Sequence, residues 1–142
     1  MAVKGVYVLF SHVPYEFSLK ISDENVTFKP GYYAYVGSAL GSIEKRVGRH
    51  FSKEKKLHWH IDHFLLHAKA MDVVTANTDK RVECSVAEGL AKTFPQIRGF
   101  GSSDCNCDSH LFYSRDLHEL LRGAIGVFKG LSLKAEKRVE YG

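Results

Sequence analysis

At 142 residues, 44% hydrophobic and 25% charged, the chain has the size and balance of one soluble domain whose core needs no cross-links. Three cysteines are too few for a disulfide scaffold and no stretch reaches the ~18 apolar residues of a membrane span, which argues against a disulfide-knit secreted protein and a helical membrane protein. The net charge of +4 is modest, and with an N-terminus, MAVKGVYVLF, that lacks a leader pattern, a cytoplasmic protein is expected.

In chain order, VKGVYVLF (3–10) is β-branched and aromatic and predicts a strand. EFSLKI (16–21) and VTFK (26–29) alternate and are joined by the turn-like SDEN, and a further strand covers 32–37. Ser42 is the predicted N-cap of a helix to about 51, in which Ile43, Val47 and Phe51 recur at helical spacing. Leu57, Ile61, Leu65 and Ala68 predict a second helix, DVVTAN (72–77) a buried strand, and VECSVAEGLAKTF (82–94) a helix stopped by Pro95. RGFGSSDCNCDS (98–109) is turn chemistry, HLFYS after it a strand and RDLHELLR a helix, with a short strand expected near 124–128. The predicted architecture is a single small α/β (α+β) domain, an antiparallel sheet centred on 3–10 and 32–37 and flanked by helices.

Strand side chains alternate, so Gly5 and Tyr7 of GVY share one face, and Tyr35 and Gly37 of YVG share one face. Paired antiparallel with Val6 opposite Val36, these triplets would set Tyr7 beside Tyr35 and Gly5 beside Gly37. Two phenols next to a shelf without side chains would let a ligand backbone approach the sheet and exchange protons there. A plain aromatic pair in the core is the alternative. Between 45 and 56 the chain carries Lys45, Arg46, Arg49, Lys53, Lys55 and Lys56, opposed there only by Glu54, a run that attracts polyanions or forms a solvated helix face.

The G-V-Y strand, the Y-V-G strand and the arginine-bearing helix after them resemble the GIY-YIG nuclease superfamily, which includes phage intron-homing endonucleases and the incision subunit of bacterial nucleotide-excision repair. The match is densest in YVGSALGSIEKRVGRH (35–50). Over nearly the whole chain, YVGSALG, HWHIDHFL and GFGSSDCNCDSHLFY resemble a mainly archaeal family assigned to that superfamily. The resemblance implies a metal-dependent endonuclease of DNA, in repair or recombination. In it Tyr7 is the general base, Tyr35 positions the scissile phosphate, Arg46 stabilises the charge developing there, and His50 and His58 stand close by. Glu83 would hold one Mg2+ or Mn2+, with Glu88 as the runner-up. Gly37, Ser38, Arg49, Lys53, Lys55, Lys56 and His60 are expected against DNA. Tyr7 and Tyr35 lie farther apart than is usual in the superfamily, so residues 11–30 should form an inserted hairpin. The late asparagine of many members has no counterpart.

Phosphodiester hydrolysis needs a nucleophile, a proton acceptor and positive charge on the phosphoryl oxygens, which these residue types supply. Tyr7 could act as base only with its phenol brought down from ~10. His60, His63 and His67 would share one helix side, a solvated or phosphate-facing surface more than a metal site, and Trp59 is read as core. Cys105, Cys107 and His110, with Cys84 a distant fourth, do not have zinc-knuckle spacing, so that segment is read as a tight loop in preference to structural zinc. A nucleic-acid-binding module without efficient cleavage is the second functional reading, and a metal-binding structural protein the third.

Overall fold

The computed structural model describes residues 4–21, 23–39, 43–51, 60–101 and 107–138, the side chains of Glu44, Lys137 and Arg138 excepted. A strand that is apolar on both faces has to be covered on both, and the first strand, β1 (Gly5–Val13), is buried along almost its whole length. It lies at the centre of a five-stranded sheet of order β6-β4-β1-β5-β7. Its neighbours β4 (Gly31–Ala39) and β5 (Lys69–Asn77) both run antiparallel to it, and β6 (Leu111–Ser114) and β7 (Glu136–Arg138) pair antiparallel on the outside.

The even-numbered β1 residues Val6, Val8 and Phe10 join Val36 and Val74 in one core layer. It is covered by Val86 and Leu90 of α3 (Glu83–Ala91) and Leu120, Ala124 and Phe128 of α4 (Leu117–Gly130). The odd-numbered Tyr7, Leu9 and Val13 face a second layer with Ile43 and Val47 of α1 (Ile43–Phe51) and Ile61 and Phe64 of the short α2 (His60–Phe64). The hairpin expected within 11–30 is present as β2 (Phe17–Ile21) and β3 (Glu24–Phe28), turned at Asp23 with φ 67°. Phe17 stacks on its cross-strand partner Phe28, with ring centroids 4.9 Å apart. Phe28 meets Phe64 edge-on at 5.3 Å. Burying each such ring contributes roughly 1.5–3 kcal/mol, enough to hold a two-stranded ribbon that would not fold alone.

Three expectations are corrected. Residues 124–128 belong to α4, because Leu120, Ala124 and Phe128 recur four apart on one buried stripe. Gly123 fits within that helix because Phe94 occupies the space a Cβ would take. The second helix ends at Phe64, and Ala68 lies beyond it next to β5. The β1–β4 register sets Val8 opposite Val36 and Tyr7 opposite Gly37, two residues from the expected pairing. A slip of two keeps every side chain on its expected face.

Candidate active site

In α1 the buried positions are Ile43, Val47 and His50, a stripe with spacings of four and three that turns the imidazole inward as part of the core-facing side. Tyr7, on the adjoining sheet face, meets it: the phenol oxygen and His50 Nε2 are 2.6 Å apart, both groups buried. Tyr7 can lie flat across the sheet because Gly37 is opposite; a Cβ there would run into Tyr7 Cζ and Oη. Tyr35 sits diagonally beside it, half-buried, with ring centroids 6.4 Å from Tyr7 and 5.9 Å from His50. Sequence reasoning therefore brought the two tyrosines and the histidine to one place.

The shelf expected beside them is filled. Gly37 carries the Tyr7 ring, and at Gly5 a Cβ would meet the Ala76 carbonyl and Ile43 Cδ1. Both glycines serve close packing within the protein, so neither is open to a ligand backbone. Ser38, on the same strand as Gly37 but one residue on, points to the opposite sheet face.

Burial pushes the Tyr7 phenol well above its ordinary 10, and nearby Tyr35 and Asp62 push the same way, while the Arg46 and Arg49 cations oppose them. The net direction is the reverse of what a base at neutral pH needs, and the phenol stays protonated. Arg46 is half-buried close enough for its charge to be felt by Tyr7. Arg49, one turn along, is held elsewhere. Its two terminal nitrogens donate to the two carboxylate oxygens of Asp62 at 2.8 and 2.9 Å, a bidentate pair in which Asp62 is fully buried. Asp62 was not singled out from the sequence; the signal present was an acid placed next to apolar Ile61.

His60 is half-buried against Phe100, and its Nδ1 accepts a hydrogen bond from the Gly101 N–H at 3.1 Å. Burial, and after it the neighbouring His63, lower its pKa below 6.5. Its ring packs on Phe100 and accepts from the Gly101 backbone. His63 is exposed and His67 lies past the end of α2, stacked on Phe17 with centroids 4.5 Å apart, so the three histidines do not form one row. His58, Trp59, Lys53, Lys55 and Lys56 lie outside the described residues, as do Ser42 and Cys105.

Glu83 opens α3, on the other face of the sheet from Tyr7. Its Oε2 is buried and has no hydrogen-bond partner among the described residues, whereas Glu88 is exposed. Next to it is a cluster that the spacing had made distant. Cys84 Sγ lies 3.0 Å from Cys107 Sγ, and His110 Nε2 lies 2.9 Å from Cys107 Sγ and 3.9 Å from Cys84 Sγ. Burial lowers the His110 pKa, with the Glu83 charge and a hydrogen bond to the Val36 backbone acting in the other direction. Gly101, at φ 68°, joins the two regions, since a Cβ there would touch Tyr35 at 3.2 Å and His110 Cβ at 3.4 Å. Among the described residues no helix is long and apolar enough to cross a membrane.

The chain belongs to the family described as "Domain of unknown function DUF123", which matches residues 6–133. No curated protein and no solved structure matches the chain.

Proposed function

We propose that the protein is a metal-dependent endonuclease that hydrolyses DNA phosphodiester bonds, as its resemblance to the GIY-YIG nucleases implies. The observation that carries this reading is the 2.6 Å hydrogen bond between Tyr7 and His50 beside Tyr35, with the Arg46 charge within reach. A phenol held protonated is a poor base alone, but one that donates to an imidazole can take a proton from water while passing its own to Nε2. The hydroxide formed bonds to phosphorus as the leaving oxygen departs with its electron pair. Arg46 bears on the phosphoryl oxygens through this step, a charge that cannot be lost by deprotonation. Tyr7 is 1% exposed, so Arg46 and half-buried Tyr35 meet a phosphate first, and the side chains over Tyr7 must give way before it is reached.

The reading includes one Mg2+ or Mn2+. Such an ion asks for few protein oxygens, being bound largely by water and phosphate. Glu83 Oε2 is a buried carboxylate oxygen without a hydrogen-bond partner among the described residues, but it lies on the other sheet face from Tyr7, so it does not fit an ion that acts on the phosphate beside Tyr7 and Arg46.

The test is cleavage of supercoiled plasmid and branched DNA with and without Mg2+ or Mn2+. Tyr7→Phe is expected to lose rate and keep DNA affinity and Arg46→Ala to lose on the order of a hundredfold in rate, while loss of metal dependence in Glu83→Gln and not in Glu88→Gln would show that Glu83 holds the ion despite its face of the sheet. Three variants that cleave like the wild type would sink the assignment. The burial of Tyr7 also favours a second reading, a binding module that keeps this domain without efficient cleavage; DNA binding with no metal-dependent cleavage of any substrate would select it.

A further inference from the structure

Cys84, Cys107 and His110 come from the first turn of α3 and from the segment that leads into β6. The proposed reaction uses none of them. Their donor atoms converge, all within 4.8 Å of one another. With separations of 2.9, 3.0 and 3.9 Å, the three atoms leave a point from which each can be reached by the ~2.0–2.3 Å bonds of a thiolate and imidazole zinc site.

The backbone around them is pinned independently of any ion. The His110 N–H donates to the Phe100 carbonyl at 2.9 Å, and its own carbonyl accepts from the Val36 N–H at 2.8 Å. The Asp108 carbonyl accepts from the Gly99 N–H at 2.8 Å. The His110 ring also hydrogen-bonds the Val36 backbone, the outer contact that orients a metal-bound imidazole and sets which nitrogen faces the ion. Glu83, whose charge acts on His110, adds negative potential at this corner.

We infer that Cys84, Cys107 and His110 form a binding site for a borderline-soft divalent cation, zinc above all, which ties the start of α3 to the entry of β6. Two thiolates and one imidazole select such an ion over Mg2+ or Mn2+. Glu83 is not among the three converging donors. The three donors leave one tetrahedral position over, and loading releases the thiol protons.

The experiment uses full-length protein in reducing buffer, stripped with a chelator and titrated with Co2+ and then Zn2+. One equivalent of Co2+ should produce a thiolate-to-cobalt charge-transfer band and tetrahedral ligand-field bands, and Zn2+ should displace them. Cys84→Ser, Cys107→Ser and His110→Ala should each weaken Zn2+ binding by tenfold or more, with far-ultraviolet circular dichroism reporting whether each variant folds. Should a variant not fold, proton release on Zn2+ addition to the wild type is read instead, and roughly two protons per ion near neutral pH are expected. Three outcomes overturn the inference. These are no charge-transfer band together with no proton release in the wild type, unchanged Zn2+ binding in folded Cys84→Ser, and a Cys84–Cys107 disulfide in protein isolated from reducing buffer. None of these measurements depends on DNA cleavage, so this inference and the nuclease reading fail separately.

Discussion

Arg46 and Arg49 sit three residues apart on one short helix and come to different ends. Both charges bear on Tyr7, but Arg49 is also bound at both terminal nitrogens by a carboxylate with no exposure. Removing one member of such a pair strands the other. Arg49→Met is expected to lower the stability measured by urea unfolding by about 3 kcal/mol, and Asp62→Asn by less, because the amide keeps the shape without leaving a buried charge. Equal stability of Arg49→Met and wild type would show that Asp62 is held by other groups. A second residue-scale prediction concerns acid. The folded-state pKa of His60 lies below 6.5, so on acidification the unfolded chain takes up the proton first. Its contribution is full above about 6.5 and lost as the pH falls through the folded value. Protonation also removes the Nδ1 lone pair that accepts from Gly101. Between pH 7.5 and 5.5 the wild type should lose more stability than His60→Gln, and the Gly101 amide should exchange faster. Parallel losses in the two proteins would rule this out.

At the scale of elements, the central pairing of β1 with β4 is decided by volume. Tyr7 needs a partner without a Cβ, and a register with Tyr7 opposite Gly37 supplies one. Gly37→Ala should push the ring off the sheet and break its 2.6 Å contact with His50. The expected cost is ~1–3 kcal/mol of stability, as for other overpacked interiors, together with loss of any cleavage activity. The same change at Gly48, where no described residue lies within 4 Å of a Cβ, should be tolerated or slightly stabilising. Comparable melting temperatures for the two variants would show that Tyr7 has room to move. In α4 the short apolar AIGVF looked like a strand by composition, yet it continues the stripe from Leu120 and packs on the same sheet face as α3. Period, not composition, decided it.

For the whole molecule, the basic run from Lys45 to Lys56 is the feature on which the proposed DNA binding rests. If it lies along the phosphates, each contact should add ~0.9 to the slope of log affinity against log salt. Replacing Lys53, Lys55 and Lys56 with glutamine should flatten that slope in filter or anisotropy binding, by up to three contacts' worth. An unchanged slope would move the interface elsewhere.

What was legible in the chain is what depends on neighbours in sequence. The alternation of GVY and YVG placed Tyr7, Tyr35 and Gly37 on one face, helical spacing set Arg46 and His50 one turn apart on the same side of α1, and the Tyr7-to-Tyr35 segment, longer than is usual in the superfamily, implied an added hairpin. The first two follow from the periods of 2 and 3.6 and survive a two-residue slip in register, and the hairpin follows from the resemblance. The tertiary structure alone decided the rest: Tyr7 over Gly37, Asp62 under Arg49, the two sheet faces that part Glu83 from Tyr7, and Cys84 beside Cys107 and His110. These partners are distant along the chain, and the pairings come from which surfaces pack in a filled interior, a choice that no local spacing records.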